Sequence, residues 1–124
     1  MTSQVKVLIV EDSRLFRQVF RELLHIRFPS FNIDEAANEE EALRIIESNL
    51  PDLVFMDIKL HGANGLDLVR RIKVQHPKIT TIVFTAYDTE YREVAQECAD
   101  YFLSKRSTSE DVFGLIENIL RKMP

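Results

Sequence analysis

Five short apolar runs, each followed by a longer stretch whose apolar residues recur every three or four positions, constrain this chain more than any other feature. The runs are Val5 to Val10, Phe31 to Ala36, Leu53 to Met56, Ile79 to Phe84 and Asp100 to Ser104. Several are apolar throughout, as parallel strands covered on both faces are. The second differs. Phe31 and Ile33 alternate with Asn32 and Asp34, the pattern of a half-buried strand, which places this run at a sheet edge.

The intervening stretches predict helices. Leu15, Phe16, Val19, Phe20, Leu23 and Leu24 form an apolar stripe along the first, which closes at Pro29. Ala42, Ile45, Ile46 and Leu50 mark the second, and Leu66, Val69 and Ile72 the third, ending before Pro77. Tyr91, Val94, Ala95 and Cys98 mark a shorter, weaker fourth. Val112, Leu115, Ile116, Ile119, Leu120 and Met123 mark the fifth. Helices that serve as crossovers between parallel strands build a doubly wound α/β sheet. At 124 residues and 45% hydrophobic content the chain supports one core, so residues 1–124 are expected to form one domain.

Composition narrows the function. A net charge of -4 lacks the positive excess that phosphate-backbone binding needs, so direct nucleic-acid binding is not expected. No apolar run approaches the roughly 20 residues that span a bilayer, and the N-terminus lacks a basic start followed by an apolar stretch. The single Cys98 excludes an intramolecular disulfide and a multi-cysteine metal site, and reads as a small core residue. The expectation is a cytoplasmic protein that is neither exported nor membrane-bound.

In doubly wound sheets ligands bind at the carboxyl ends of the strands. There the chain carries Glu11-Asp12 after the first run, Asp57 after the third, Thr85-Ala86 after the fourth and Lys105 after the fifth. Three carboxylates brought together repel unless a cation joins them, and a hard, all-oxygen donor set suits Mg²⁺. Lys105 supplies a second positive charge. A carboxylate held between two cations can attack phosphorus while they draw charge off the phosphoryl oxygens, giving an aspartyl phosphate on Asp57. Thr85 is placed to hydrogen-bond one of those oxygens.

Plainer readings exist for each residue alone. Glu11-Asp12 would be a solvated loop, Thr85 an ordinary β-branched strand end, and Lys105 with Arg106 a solvated basic pair. Ser13 reads as the N-cap of the first helix. His25, His61 and His76 have no metal-binding spacing and read as surface residues, and Ser109, Glu110 and Asp111 suit the start of a helix dipole.

Taken in order, four anchors carry a resemblance: Val10-Glu11-Asp12-Ser13, Phe55-Met56-Asp57-Ile58, Phe84-Thr85-Ala86 and Phe102-Leu103-Ser104-Lys105. With them the chain resembles, over essentially its whole length, the receiver domain of two-component response regulators, the flavodoxin-like relatives of the chemotaxis regulator. The resemblance implies a five-stranded parallel sheet of order 2-1-3-4-5 with five helices on both faces. It implies Asp57 as phosphoacceptor from a sensor histidine kinase or phosphotransfer protein, with Thr85 and Lys105 assisting. Mg²⁺ would be held by Glu11, Asp12, Asp57 and the backbone carbonyl of Lys59. Thr85 and Phe102 would be the switch pair. An output protein, effector domain or homodimer partner would dock on the surface of the fourth helix, fifth strand and fifth helix.

The chain departs from the family pattern in places. Arg106 stands where many receivers have a proline after a cis bond, and a cis bond to arginine costs roughly 2.5–4 kcal/mol, so a trans link is expected. The loop from Lys59 to Gly65 lacks a frequent proline but keeps the glycine, as Gly65. Phe102 replaces a common tyrosine and offers no hydroxyl, while Tyr101 points to the other face. The expected function is a phosphorylation-controlled signalling switch whose only catalysis is its own phosphorylation and dephosphorylation. One alternative is an interaction module of the same fold that has dispensed with phosphate, against which the intact set Glu11, Asp12, Asp57, Thr85 and Lys105 argues. The other is a small Asp-dependent phosphatase of the haloacid-dehalogenase kind. Such enzymes carry a second Asp two residues after the first, where this chain has Lys59.

Overall fold

The apolar runs form one parallel sheet, and the period-two alternation of their side chains decides what lies on each face. The computed structural model describes residues 4–123. In chain order the elements are β1 (Lys6–Val10), α1 (Arg14–Arg27), β2 (Asn32–Ala36), α2 (Glu39–Ser48), β3 (Leu53–Met56), β4 (Lys59–Leu60), β5 (Ala63–Asn64), α3 (Gly65–Gln75), β6 (Thr80–Thr85), α4 (Asp88–Cys98), β7 (Tyr101–Ser104) and α5 (Ser109–Lys122). The main sheet runs β2-β1-β3-β6-β7 with every pairing parallel, so its strands have the expected order 2-1-3-4-5. The alternating strand β2 lies at an edge, as its sequence predicts.

On one face, Val7, Ile9, Leu53, Phe55, Ile82, Phe84 and Leu103 pack against α1 and α5. On the other, Leu8, Val10, Val54, Met56 and Val83 pack against α2, α3 and α4. An aromatic cluster stiffens the first face: Phe20 lies 5.1 Å from both Phe55 and Phe84, and Phe16 lies 5.4 Å from Phe84. Removing one such buried ring costs about 3–5 kcal/mol, because the cavity adds to the lost transfer energy.

The first helix buries a narrower arc than its apolar stripe. Phe20 and Leu24 are buried, but Leu15 and Val19 remain 72% and 56% exposed. These two lie about 140° round the helix from the buried pair, and the sheet covers one arc only. Leu50 is likewise exposed, because α2 ends at Ser48 and Leu50 falls outside the helix. In α4 only Ala95 is fully buried among the described side chains, with Tyr91 and Cys98 half-buried. Cys98 thus lines the core edge and is not fully inside it. Local caps close the helices: Ser13 accepts from the Phe16 N–H as expected, and Thr108 with Asp111 forms a capping box on α5.

The segment after Asp57, expected as a loop, is a small antiparallel ribbon. Lys59 pairs with Asn64 and Leu60 with Ala63 across a His61-Gly62 turn. Gly62 has φ 78°, and no other described residue has positive φ, which fits the third position of a type II turn. Gly65 follows directly and its N–H donates to the Ile58 carbonyl at 2.7 Å. A Cβ on Gly65 would overlap the Asp57 carbonyl oxygen and crowd Ile58 Cα. Glycine is therefore required where α3 begins, and it fixes the backbone that carries Asp57. Gly65→Ala is expected to lower stability by about 2 kcal/mol through overpacking, read as a shift of the urea midpoint. Its amide shift changes should centre on residues 57–59, and an unchanged midpoint would refute the close approach.

Candidate functional site

The alternation that sorts the core also sorts the residues just past the strand ends. Val7, Ile9 and Glu11 share one side of β1; Phe55 and Asp57 share the same side of β3; Leu103 and Lys105 share it on β7. Val10 pairs with Met56, so Glu11 and Asp57 leave adjacent strands side by side. Backbone bonds carry the ladder one step further, with Glu11 N–H on the Ala36 carbonyl (3.0 Å), Asp57 N–H on Val10 (3.1 Å) and Lys105 N–H on Thr85 (3.0 Å). Thr85 and Phe102 fall on the opposite side, toward α4.

The side chains meet accordingly. The Lys105 ammonium donates to Glu11 Oε1 at 2.5 Å and to Asp57 Oδ2 at 3.1 Å. It also lies over the rings of Phe16 (4.2 Å) and Phe84 (5.4 Å), so the aromatic cluster is the floor of the site. Lys105 is therefore an inward ligand of two carboxylates and not half of a solvated basic pair. Glu11 and Asp57 are only 1% and 6% exposed, whereas Asp12 is exposed. One carboxylate oxygen from each of Glu11, Asp12 and Asp57 lies within 4.8 Å of the others. Glu11 Oε2 and Asp57 Oδ1 are buried and accept no hydrogen bond within the protein.

The electrostatics follow from this crowding. Burial, then the neighbouring Asp57 carboxyl, pushes Glu11 up from 4.5 to about 7 against the opposing pull of Lys105. Burial alone would lower Lys105, but its bond to Glu11 and the charges of both carboxylates outweigh that and raise it. Two orphaned buried oxygens beside an exposed carboxylate make an all-oxygen donor set, which fits a hard divalent cation.

Sequence reasoning missed a clamp behind this site. Arg17 Nη1 donates to the Glu11 carbonyl at 2.6 Å and its Nε to Glu35 Oε1 at 3.2 Å; Arg21 holds the other Glu35 oxygen at 3.0 Å. The spacing of Arg17 and Arg21 on α1 gives one common face, but Glu35 comes from the edge strand β2, and no local pattern links them. Thr85 is fully buried and its Oγ1 accepts from the Tyr87 N–H at 3.2 Å. Phe102 is half-buried, with the Arg92 guanidinium 4.9 Å from its ring. Tyr101 packs on the α1/α5 face, opposite Phe102, as its position predicts.

The side chain of Lys59 leaves the carboxylate group altogether and lies over Tyr87, Nζ to centroid 4.0 Å. Its backbone is disposed differently. Because Gly65 N–H bonds to the Ile58 carbonyl, Lys59 and Asn64 form a non-hydrogen-bonded pair, whose carbonyls point away from the partner strand. The Lys105–Arg106 link is trans, as no cis peptide occurs among the described residues. The three histidines stay apart from the site; His25 contacts the Phe31 carbonyl at 3.3 Å.

The comparisons with known proteins agree with this geometry. A model of the response regulator receiver domain matches residues 7–117. A response regulatory protein of Vibrio cholerae is 36% identical over 113 residues, 88% of this chain and 42% of that protein. A cyclic di-GMP phosphodiesterase of Thermotoga maritima is 34% identical over 103 residues, 80% of this chain and 26% of that protein. Among solved structures, a CheY-like receiver domain protein from Methanospirillum hungatei superposes with TM-score 0.86 at 25% identity, covering 97% of this chain and 96% of that one. The chain thus spans half or less of the curated relatives described above. Among the described residues, no helix is long and apolar enough to cross a membrane. Matched by the family model from the first strand into the last helix, and carrying its carboxylates and lysine at the strand ends of the expected sheet, the chain belongs to the receiver domain family of two-component response regulators.

Proposed function

We propose that residues 1–124 act as one receiver unit that takes a phosphoryl group onto Asp57 from the phosphohistidine of a sensor histidine kinase or phosphotransfer protein. The observation that carries this reading is the division of labour on Asp57. Lys105 holds Oδ2, while Oδ1 is buried without a partner and so keeps a lone pair available to a reacting atom. In the transfer Oδ1 forms a bond to phosphorus, the bond from phosphorus to the imidazole nitrogen breaks, and the imidazole leaves with that electron pair and takes up a proton. Lys105 orients the nucleophile and draws charge from the phosphoryl oxygens. Thr85 donates its hydroxyl to one of them.

Glu11, Asp12, Asp57 and the Lys59 carbonyl would hold Mg²⁺, which supplies charge neutralisation on the transferring group. The orphaned oxygens of Glu11 and Asp57 and the outward carbonyl of the Lys59–Asn64 pair support this set. Thr85 and Phe102 form the switch pair on the α4 side, and the α4–β7–α5 surface receives an output protein, an effector domain or a second copy. A reducing cytoplasm suits this role and the single free Cys98.

Acetyl phosphate with Mg²⁺ is expected to label Asp57 alone, read by borohydride trapping and mass spectrometry, and Asp57→Asn is expected to abolish the label. Label on Ser13 or His61 would overturn the reading.

The raised Glu11 carboxyl gives a pH test. The folded state binds that proton more tightly than the unfolded chain, so Glu11 adds stability fully below about 4.5 and loses it as pH rises through about 7. Mg²⁺ competes with the same proton. The gap in melting temperature between Mg²⁺-saturated and metal-free protein should therefore be larger at pH 8 than at pH 6, and Glu11→Gln should flatten that difference. A gap independent of pH in the parent protein would contradict it.

Thr85→Ala should still take up phosphate but lose much of the NMR shift response to beryllofluoride between residues 85 and 105. A variant that responds like the parent would remove Thr85 from the switch and favour a module that signals without phosphate.

A further inference from the structure

The fourth helix is held unlike the others. Among its described side chains only Ala95 is fully buried, and its N-cap, Tyr87, provides no side-chain hydrogen bond. Its N-terminal turn instead meets a cation from another element. The Lys59 ammonium lies 4.0 Å from the centre of the Tyr87 ring and 5.9 Å from that of Tyr91. A cation at a helix N-terminus opposes the helix dipole, and contact with the aromatic faces offsets part of that cost. Tyr87 is tied twice, its ring to Lys59 and its N–H to Thr85 Oγ1 at 3.2 Å.

We propose that Lys59 is a positioning residue that latches α4 in the resting domain, its ammonium clasped by Tyr87 and Tyr91, and that a phosphoryl group on Asp57 draws it away and frees the helix. The proposal rests on Asp57 being the phosphoacceptor. Lys59 follows Asp57 by two residues, a backbone span of at most about 7 Å. The ammonium sits at the end of a flexible four-carbon stem, so swinging off the Tyr87 ring can bring it to a group carried by Asp57. Replacing a carboxylate by a phosphoryl group of about −2 offers the ammonium a charge-assisted partner stronger than an exposed aromatic face. Lys105 already balances Glu11 and Asp57, so the phosphoryl group adds more negative charge than that one ammonium offsets. If the Thr85 hydroxyl turns to the phosphoryl group at the same time, both ties on Tyr87 loosen together. The helix then rests on Ala95, Tyr91 and Cys98, and Arg92, which covers Phe102 at 4.9 Å, carries its movement to the half-buried ring.

NMR of the full chain separates the two stages. In the resting protein the Lys59 ε-methylene protons should resonate upfield of ordinary lysines through the Tyr87 ring current. Saturating beryllofluoride with Mg²⁺ should return them toward the ordinary position and shift the amides of residues 89–95. Tyr87→Phe, which keeps an aromatic face, should retain both signatures. Tyr87→Ala and Lys59→Met should each move the α4 amides part of the way before beryllofluoride is added, and the double variant should move them no further than either single one. An ordinary Lys59 signal in the resting protein would overturn the latch. So would a Lys59 signal unmoved while the Asp57 amide shows beryllofluoride bound, an outcome that leaves the phosphoacceptor reading standing. Absence of both beryllofluoride binding and acetyl phosphate label at Asp57 would overturn that reading, and the latch with it.

Discussion

Glu11 and Asp57 finish neighbouring strands, so the sheet that buries the apolar runs also drives two carboxylates against each other where water screens them poorly. The charge that makes this tenable comes from Lys105, which must reach across the end of β6 from β7. Its aliphatic stem and ammonium lie on Phe16 and Phe84, so the aromatic cluster under the sheet both packs the α1/α5 face and sets the height of the cation. Removing the lysine would leave two buried charges unpaired, which costs far more than an exposed ion pair contributes. Even with it, one oxygen on each carboxylate stays unsatisfied and Glu11 holds its proton to about 7. The resting site is short of positive charge, and that shortage favours a bound cation.

Much of this arrangement was legible in the sequence because it follows from a period of two. The ends of the apolar runs placed Glu11, Asp57 and Lys105 at strand ends, and the alternating Phe31–Asp34 segment read as an edge. The parts that were not legible depend on geometry no periodicity encodes. The breadth of α1's apolar stripe did not say that Leu15 and Val19 lie beyond the sheet's reach. Leu50 matched the helical spacing but sits past the end of α2. Arg17 meets Glu35 only once β2 lies beside β1, and Lys59 meets Tyr87 only once the sheet brings the segments that follow β3 and β6 together. Long, flexible side chains that cross between elements carry no sequence signature of their own.

The helices differ in how firmly the sheet holds them. On one face α1 packs Phe16 and Phe20 against Phe84, and α5 buries Val112, Ile116 and Ile119. On the other, α3 buries Leu66, Leu68, Val69 and Ile72, whereas α4 contributes a single small buried residue and two partly covered ones. Local stability scales with buried contact, so α4 is the element that moves at least cost.

Parity also dictates the route of any signal. Asp57 and Lys105 lie on the α1/α5 side of the sheet, whereas Thr85 and Phe102 lie on the α4 side. Between them the strands are fully buried and close-packed, and a core at that density transmits strain without allowing rearrangement. The message in the proposed function must therefore cross at the rim, past the strand ends, where the Thr85 and Lys59 side chains touch Tyr87. A phosphoacceptor one residue earlier would sit at Met56, inside the α4-side core, and could not be reached by a donor at all. A stiff aromatic floor under the carboxylates and a loosely held α4 beside them let the site stay ordered while the helix shifts.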